Sequence, residues 1–250
     1  MTDPRIHERR VQVAREKGRF RRRVILASLL LAALVTGGLL IVHSSLLGAR
    51  HVVVIGSSHT SRAAVVRVAG LEKAPPLVDL SPTAIARRVE SLPWVSGADV
   101  SISFPTTVRI SVTERTPVAD VHSASGGWAL CDATGRVLAH YALRPAGFPY
   151  IVDPAGAPPP GRWLGGRLDA LAAMAASMPE SMVTTISSLA FGPGGVTARL
   201  ADGRTALFGS LADPTQKFLS LATVLARADL SGIKVIDLRV PADPALLTRA

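Results

Sequence analysis

The hydrophobic pattern divides the chain into one long apolar run and two stretches of short alternating segments. Val24 to Val42 is nineteen residues without a charge, Pro, Asn or Gln. As a helix it covers roughly 28 Å, close to the hydrocarbon core of a bilayer. Gly37 and Gly38 are costly in a soluble helix but ordinary in a membrane one. Apolarity on every face argues against a core helix, which keeps a polar side. The run is longer than a signal-peptide core, and Leu47-Gly48-Ala49 is a poor cleavage site, so an uncleaved anchor is expected.

After the run the periods shorten. His51 to Ile55 reads as a β-branched strand stopped at Gly56-Ser57-Ser58. Thr60 or Ser61 is placed to cap a helix carrying Ala64, Val65, Val68 and Ala69, closed by Gly70. Ser81-Pro82 opens a second helix with Ile85, Val89 and Leu92 on one stripe and Pro93 beyond it. Val100, Ile102 and Phe104 then share one face of a strand, and Val108, Ile110 and Val112 repeat the pattern on the next. The order β-α-α-β-β implies a small sheet with one buried face and two covering helices. Glu114 and Arg115 read as a charged strand end facing water, and Trp94 as a packing residue at a helix–strand junction.

From Trp128 the chain changes to short strands and glycine-bearing turns. Trp128 to Leu130 and Arg136 to Leu138 flank the loop Asp132-Ala133-Thr134-Gly135. Tyr150 to Val152 is another short strand, and Leu168 to Met178 a helix ending before Pro179. Thr185 to Phe191, Gly195 to Leu200 and Arg204 to Phe208 read as a meander. Asp213-Pro214 caps a helix with Phe218, Leu221 and Leu225 on one face, leading to a final strand, Ile233 to Val240, closed by Pro241.

The net charge of +10 would suggest a nucleic-acid binder if it were spread out. Residues 1–23 instead hold nine Lys or Arg against three acids, so most of the excess precedes the apolar run. Only Arg50 and Arg62 occur in the twenty residues after it. The positive-inside rule then puts the N-terminus in the cytoplasm and the remainder outside. Eleven aromatics are too few for a base-stacking platform, so no nucleic-acid partner is expected. A single cysteine, Cys131, excludes an internal disulfide and a multi-cysteine zinc site.

The residues also carry a resemblance. The runs Leu92-Pro93-Trp94-Val95, Ala98-Asp99-Val100, Phe104 to Ile110 and Glu114-Arg115-Thr116-Pro117-Val118-Ala119 resemble the POTRA domain of the FtsQ/DivIB family of bacterial division proteins. Asp132, Gly135 and Val137, then Leu200, Asp202, Gly203 and Gly209, then Lys217, Phe218 and Leu221, and finally Ile236-Asp237-Leu238-Arg239 resemble that family's outer β domain. The expected fold is therefore α+β. A single N-terminal transmembrane helix (24–47, after a basic tail at 1–23) precedes a POTRA domain (48–119) and a mixed, mainly antiparallel β domain with flanking helices (120–250). The resemblance implies a single-pass scaffold at the division septum that recruits FtsB- and FtsL-type membrane proteins, with septal wall synthases as further partners, and so couples early cytoplasmic components to septal wall synthesis. Two other classes compete: a POTRA-bearing assembly or translocation factor, and a membrane-anchored wall enzyme.

Candidate chemistry is sparse. His7, His43, His51, His59, His122 and His140 match no ligand spacing. No GxSxG, Walker or GxGxxG motif occurs, and Gly192-Pro193-Gly194-Gly195 is followed by no helix start. No catalytic residue, metal, cofactor or small-molecule substrate is expected. The expected contact is strand addition, in which a partner segment completes the hydrogen-bond ladder of an edge strand. The candidate strand is Ile233, Lys234, Val235, Ile236, Asp237, Leu238, Arg239 and Val240. Arg239 or Lys234 would pair with acidic partner residues. Where the family has an aromatic near this strand's end, this chain has Val240-Pro241.

Overall fold

The computed structural model describes residues 23–40, 43 and 47–248. The expected basic tail at 1–22 and the end of the apolar run at 41–42, with 44–46 and 249–250, lie outside the described residues. The apolar run forms helix α1, Arg23–Leu40, long and apolar enough to cross a membrane and with none of its surface buried against the protein.

The first module has the order read from periodicity. Strand β1 (His51–Ile55) is followed by α2 (Arg62–Ala69), α3 (Pro82–Glu90), β2 (Val95–Ser103) and β3 (Thr107–Glu114). The sheet order is β1-β3-β2, with β1 parallel and β2 antiparallel to β3. Ser61 caps α2, its Oγ accepting from the Ala64 N–H at 3.2 Å, and Gly70 ends that helix in the left-handed conformation. Ser81 caps α3, with Pro82 in the first turn. Val65, Ala69, Ile85, Val89, Val108 and Ile110 are fully enclosed between the helices and one face of the sheet. Gly56 takes a φ of +82° where a Cβ would lie 2.1 Å from the Val112 carbonyl oxygen, so the end of β1 can approach β3 only without a side chain.

The second module is one nine-stranded sheet. Its strands are β4 (Pro117–His122), β5 (Trp128–Asp132), β6 (Val137–Tyr141), β7 (Tyr150–Ile151), β8 (Ile186–Gly192), β9 (Gly195–Leu200), β10 (Thr205–Gly209), β11 (Val235–Asp237) and β12 (Ala245–Leu247). Their order across the sheet is β12-β11-β10-β9-β8-β7-β4-β5-β6. Helices α4 (Arg167–Ala176), α5 (Glu180–Val183) and α6 (Pro214–Arg227) pack into one core with Ala119, Val121, Ile151, Leu189, Ala198, Ala206 and Ile236 from the strands. The Phe208 and Phe218 rings meet edge to face at 5.2 Å, joining β10 to α6.

Three expectations are corrected. Phe104 does not share the buried face of its strand; β2 ends at Ser103 and the ring is 64% exposed. Asp213 precedes α6 but makes no capping bond, because its own backbone is left-handed there (φ 51°). Glu114 and Arg115 do not face water. The Glu114 carboxylate, 10% exposed, accepts hydrogen bonds from the backbone N–H groups of Ser58, His59 and Thr60, from the Ser58 hydroxyl at 2.7 Å, and from His59 Nδ1 at 2.9 Å. Burial pushes its pKa up, but these donors outweigh burial and bring it down to about 2. One carboxylate at the end of β3 thus holds the turn that launches α2.

Arg115 instead joins the two modules. It donates to the Val95 carbonyl at 3.0 Å and to Asp132 Oδ2 at 2.6 Å, and Asp132 is itself buried on β5. From the other side, Arg136 reaches back to the Ser91 carbonyl at 2.9 Å, just past α3. At the same junction Trp94 is buried against Leu130 and Leu138, one face stacked on His59 at 4.0 Å. Trp94 is thus a packing residue, and the surface it packs on belongs to the second module.

Candidate functional site

Residues 233–240 sit near one end of the large sheet, but in a different setting from the expected edge strand. Only Val235–Asp237 are in strand β11, which pairs in parallel with β10 on one side and antiparallel with β12 on the other. Ile233 packs against the core, Ile236 and Leu238 are buried in it, and Val235 is buried as well. The Lys234 N–H donates to the Leu247 carbonyl at 3.0 Å and the Leu238 N–H to the Leu207 carbonyl at 2.8 Å, so this backbone is committed on both flanks. Alternation placed Ile236, Leu238 and Val240 on one face. The structure keeps Ile236 and Leu238 there, but the strand stops at Asp237 and Val240 is exposed.

Arg239 is exposed, as a rim cation would be, yet it is already paired. Its guanidinium donates to Asp237 at 2.6 Å and 3.0 Å, and that contact holds the Asp237 carboxyl below its ordinary range. Lys234 is exposed at the other end of the strand.

Among the described residues β12 ends the sheet on this side. Ala245, Leu246 and Leu247 pair with β11 on one flank and are all exposed, Leu247 by 42%. Beside β12 the turn Val240-Pro241-Ala242 and the outer side of α6 enclose an open groove of about 530 Å³, with Leu219 and Thr223 on its helix side. Leu219, Val240, Leu246 and Leu247 are four large apolar side chains left in water at this end of the molecule, a concentration that typifies interaction surfaces. Sequence reading missed β12 because it closed the last strand at Pro241. The available signal was Asp243-Pro244, a turn-starting pair, followed by the short apolar run Ala245-Leu246-Leu247.

The opposite end of the sheet is less open. The Val137 backbone, on the outer flank of β6, is bonded to Gly161 and Arg162. Among the described residues no three of His, Cys, Asp or Glu converge as metal ligands would. Cys131 is enclosed in the core, and burial pushes its thiol up to about 12. This leaves it in the inert thiol form at neutral pH.

Comparison with known proteins agrees with this architecture. A family model described as the POTRA domain, FtsQ-type, matches residues 47–115, and one described as cell division protein FtsQ/DivIB, C-terminal, matches residues 119–239. The cell division protein FtsQ of Mycobacterium tuberculosis is 31% identical over 182 residues, covering 72% of this chain and 56% of that protein. This chain thus spans little more than half the length of the mycobacterial relatives it matches. The cell division protein FtsQ of Streptomyces collinus is 31% identical over 235 residues, covering 91% of this chain and 88% of the relative. The solved extracytoplasmic domain of DivIB from Geobacillus stearothermophilus is 19% identical, with a TM-score of 0.33 over 47% of this chain and 98% of that one, too low an overlap to carry a structural argument. Two consecutive family models and a relative matched over nearly its whole length lead to one conclusion: the chain belongs to the FtsQ/DivIB family of cell division proteins.

Proposed function

We propose that the chain is a non-enzymatic, single-pass scaffold of the division machinery that captures FtsB- and FtsL-type membrane proteins by strand addition at the β12 end of its large sheet. In this reading residues 1–23 are a cytoplasmic tail and 24–47 the membrane anchor. Residues 48–119 form the POTRA domain, and 120–250 an extracytoplasmic β domain positioned at the septum. Septal wall synthases join through the recruited partners.

The observation that carries the reading is the exposed outer flank of β12. A terminal strand presents unpaired N–H and C=O groups that a partner strand completes. Exposed Leu246 and Leu247 supply apolar contact on either side of that ladder. Residues 233–240 then act mainly as the support on which β12 is laid, with Lys234 and Arg239 at the rim, where charge adds specificity more than affinity.

The test uses the full chain in detergent or nanodiscs with a purified FtsB/FtsL-type partner. In β12 the backbone of Ala245 and Leu247 bonds to β11 and that of Leu246 faces outward. The double variant Leu246→Pro, Leu247→Asp therefore removes a donor from the free flank only and is expected to keep the wild-type melting curve while losing partner capture. Leu238→Asp puts a charge into the core and is expected to unfold the β domain instead. Undiminished capture by the folded double variant overturns strand addition at β12. In cells, depletion is expected to give filaments that do not divide. Neither an assembly factor nor a wall enzyme predicts a division block that is rescued by wild type and not by the double variant.

A further inference from the structure

We infer that the loop over residues 71–79 of the first module, with the adjoining rim of Arg50 and Arg62, is a bilayer-contact surface that takes anionic phospholipid headgroups where α1 leaves the membrane. The inference rests on α1 being the membrane anchor.

Three contacts hold this loop at the end of α1. The His43 backbone nitrogen and Nδ1 both lie 3.0 Å from the Leu39 carbonyl, near the end of α1. His43 Nε2 then lies 3.5 Å from Asp79 Oδ1. The Ala49 N–H donates to the Pro75 carbonyl at 2.9 Å, and Gly48 bridges Pro76. A surface pair such as His43–Asp79 contributes little energy; the backbone contacts of Gly48 and Ala49 are what hold the loop beside the segment that follows α1 in the chain.

That side has interfacial chemistry. Val78 is 40% exposed between buried Leu77 and partly buried Leu80, next to Pro75 and Pro76. The start of the same loop borders a groove of about 580 Å³ lined by Ala49, Val52, Val66 and Leu71, with the charged side chains of Arg50, Arg62 and Glu72. Arg62 commits one N–H to the Val52 carbonyl, out of the five a guanidinium has. The acids of this surface are engaged, Glu72 with Arg67 at 3.7 Å and Asp79 with His43. Exposed Lys73 adds a further cation on the same loop. An apolar floor with a cationic rim, tethered at the membrane exit, matches a phosphodiester headgroup with the start of its acyl chains. A free soluble anion would have no use for the exposed valine and the half-buried prolines beside it.

The experiment uses the full chain in nanodiscs of phosphatidylcholine with roughly one-third phosphatidylglycerol, an anionic fraction that gives a substantial surface potential. An environment-sensitive fluorophore is placed in turn at Val78→Cys, Leu31→Cys and Ser231→Cys, buried Cys131 remaining unlabelled. Nitroxide lipids labelled in the headgroup or in the acyl chain serve as quenchers. The label at 78 is expected to be quenched from the headgroup region and the label at 231 not. Lys73→Gln and Arg50→Gln are each expected to lower the ratio of docked to undocked signal at 78 by roughly fivefold, the equivalent of ~1 kcal/mol per cation at an anionic surface. If the label at 31 escapes acyl-chain quenching, the anchor reading falls and this inference with it. If 31 is quenched but 78 behaves like 231, the anchor stands and the inference alone is overturned. Equal quenching at 78 in pure phosphatidylcholine, insensitive to both substitutions, overturns the headgroup assignment.

Discussion

Replacing Glu114 with Gln tests whether one carboxylate organises the first module. The substitution keeps the side chain's shape and removes its charge. The wild-type carboxylate is 10% exposed and gathers hydrogen bonds from Ser58, His59 and Thr60, which bring its pKa from 4.5 to about 2. A folded-state pKa below the unfolded value means that the ionised group stabilises the fold above the unfolded value. That stability is lost as pH falls through the folded one. At about 1.4 kcal/mol for each tenfold change in the protonation equilibrium, the full effect at neutral pH is about 3 kcal/mol. In a chain of this size it corresponds to a melting-temperature difference of roughly 6–12 °C. The assay is a pair of urea or thermal unfolding curves for wild type and Glu114→Gln, taken in the same detergent at pH 7 and pH 3. The variant is expected to be the less stable at pH 7. The gap should shrink to less than half by pH 3, because the wild-type group is lost between about pH 4.5 and 2. A gap that is equal or larger at pH 3 refutes the reasoning, since the contact would then not depend on charge.

Three further outcomes follow from the packing. Arg115→Ala leaves the buried Asp132 carboxylate without its cation. It should cost about 3–5 kcal/mol and split one unfolding transition into two, measured by calorimetry, because the bond it removes crosses between the modules. Gly56→Ala forces a Cβ to within 2.1 Å of the Val112 carbonyl and should destabilise the first module by more than ~1 kcal/mol, read from denaturant midpoints. Cys131, its thiol pushed up to about 12 and enclosed in the core, should resist a maleimide at pH 8 for as long as the protein is folded and react on unfolding.

Much of the molecule was determined by local pattern. Helix α1, long and apolar enough to cross a membrane, follows from nineteen uncharged residues behind a cationic flank. The helix starts at Ser61 and Ser81-Pro82, the stop at Gly70 and the alternation of Val108, Ile110 and Val112 are written in neighbouring residues, because caps and pleats are short-range geometry. The quoted motifs also carried the family. What only the tertiary structure decided depends on who sits across from whom. Alternation says that Ile236 and Leu238 share a face, but not whether a strand lies on each flank. β12, three residues long and separated from β11 by a loop, takes the edge that Ile233 to Val240 was expected to hold. Glu114 and Arg115 look like a solvated charge pair in sequence. Their partners lie 54–56 residues upstream for Glu114 and 17 downstream for Arg115, so only folding brings in the donors and the counter-ion that take them out of water. The periodicity of a chain encodes which side of an element is apolar; the burial of a charge and the openness of a strand edge are set by distant segments, and no local pattern records them.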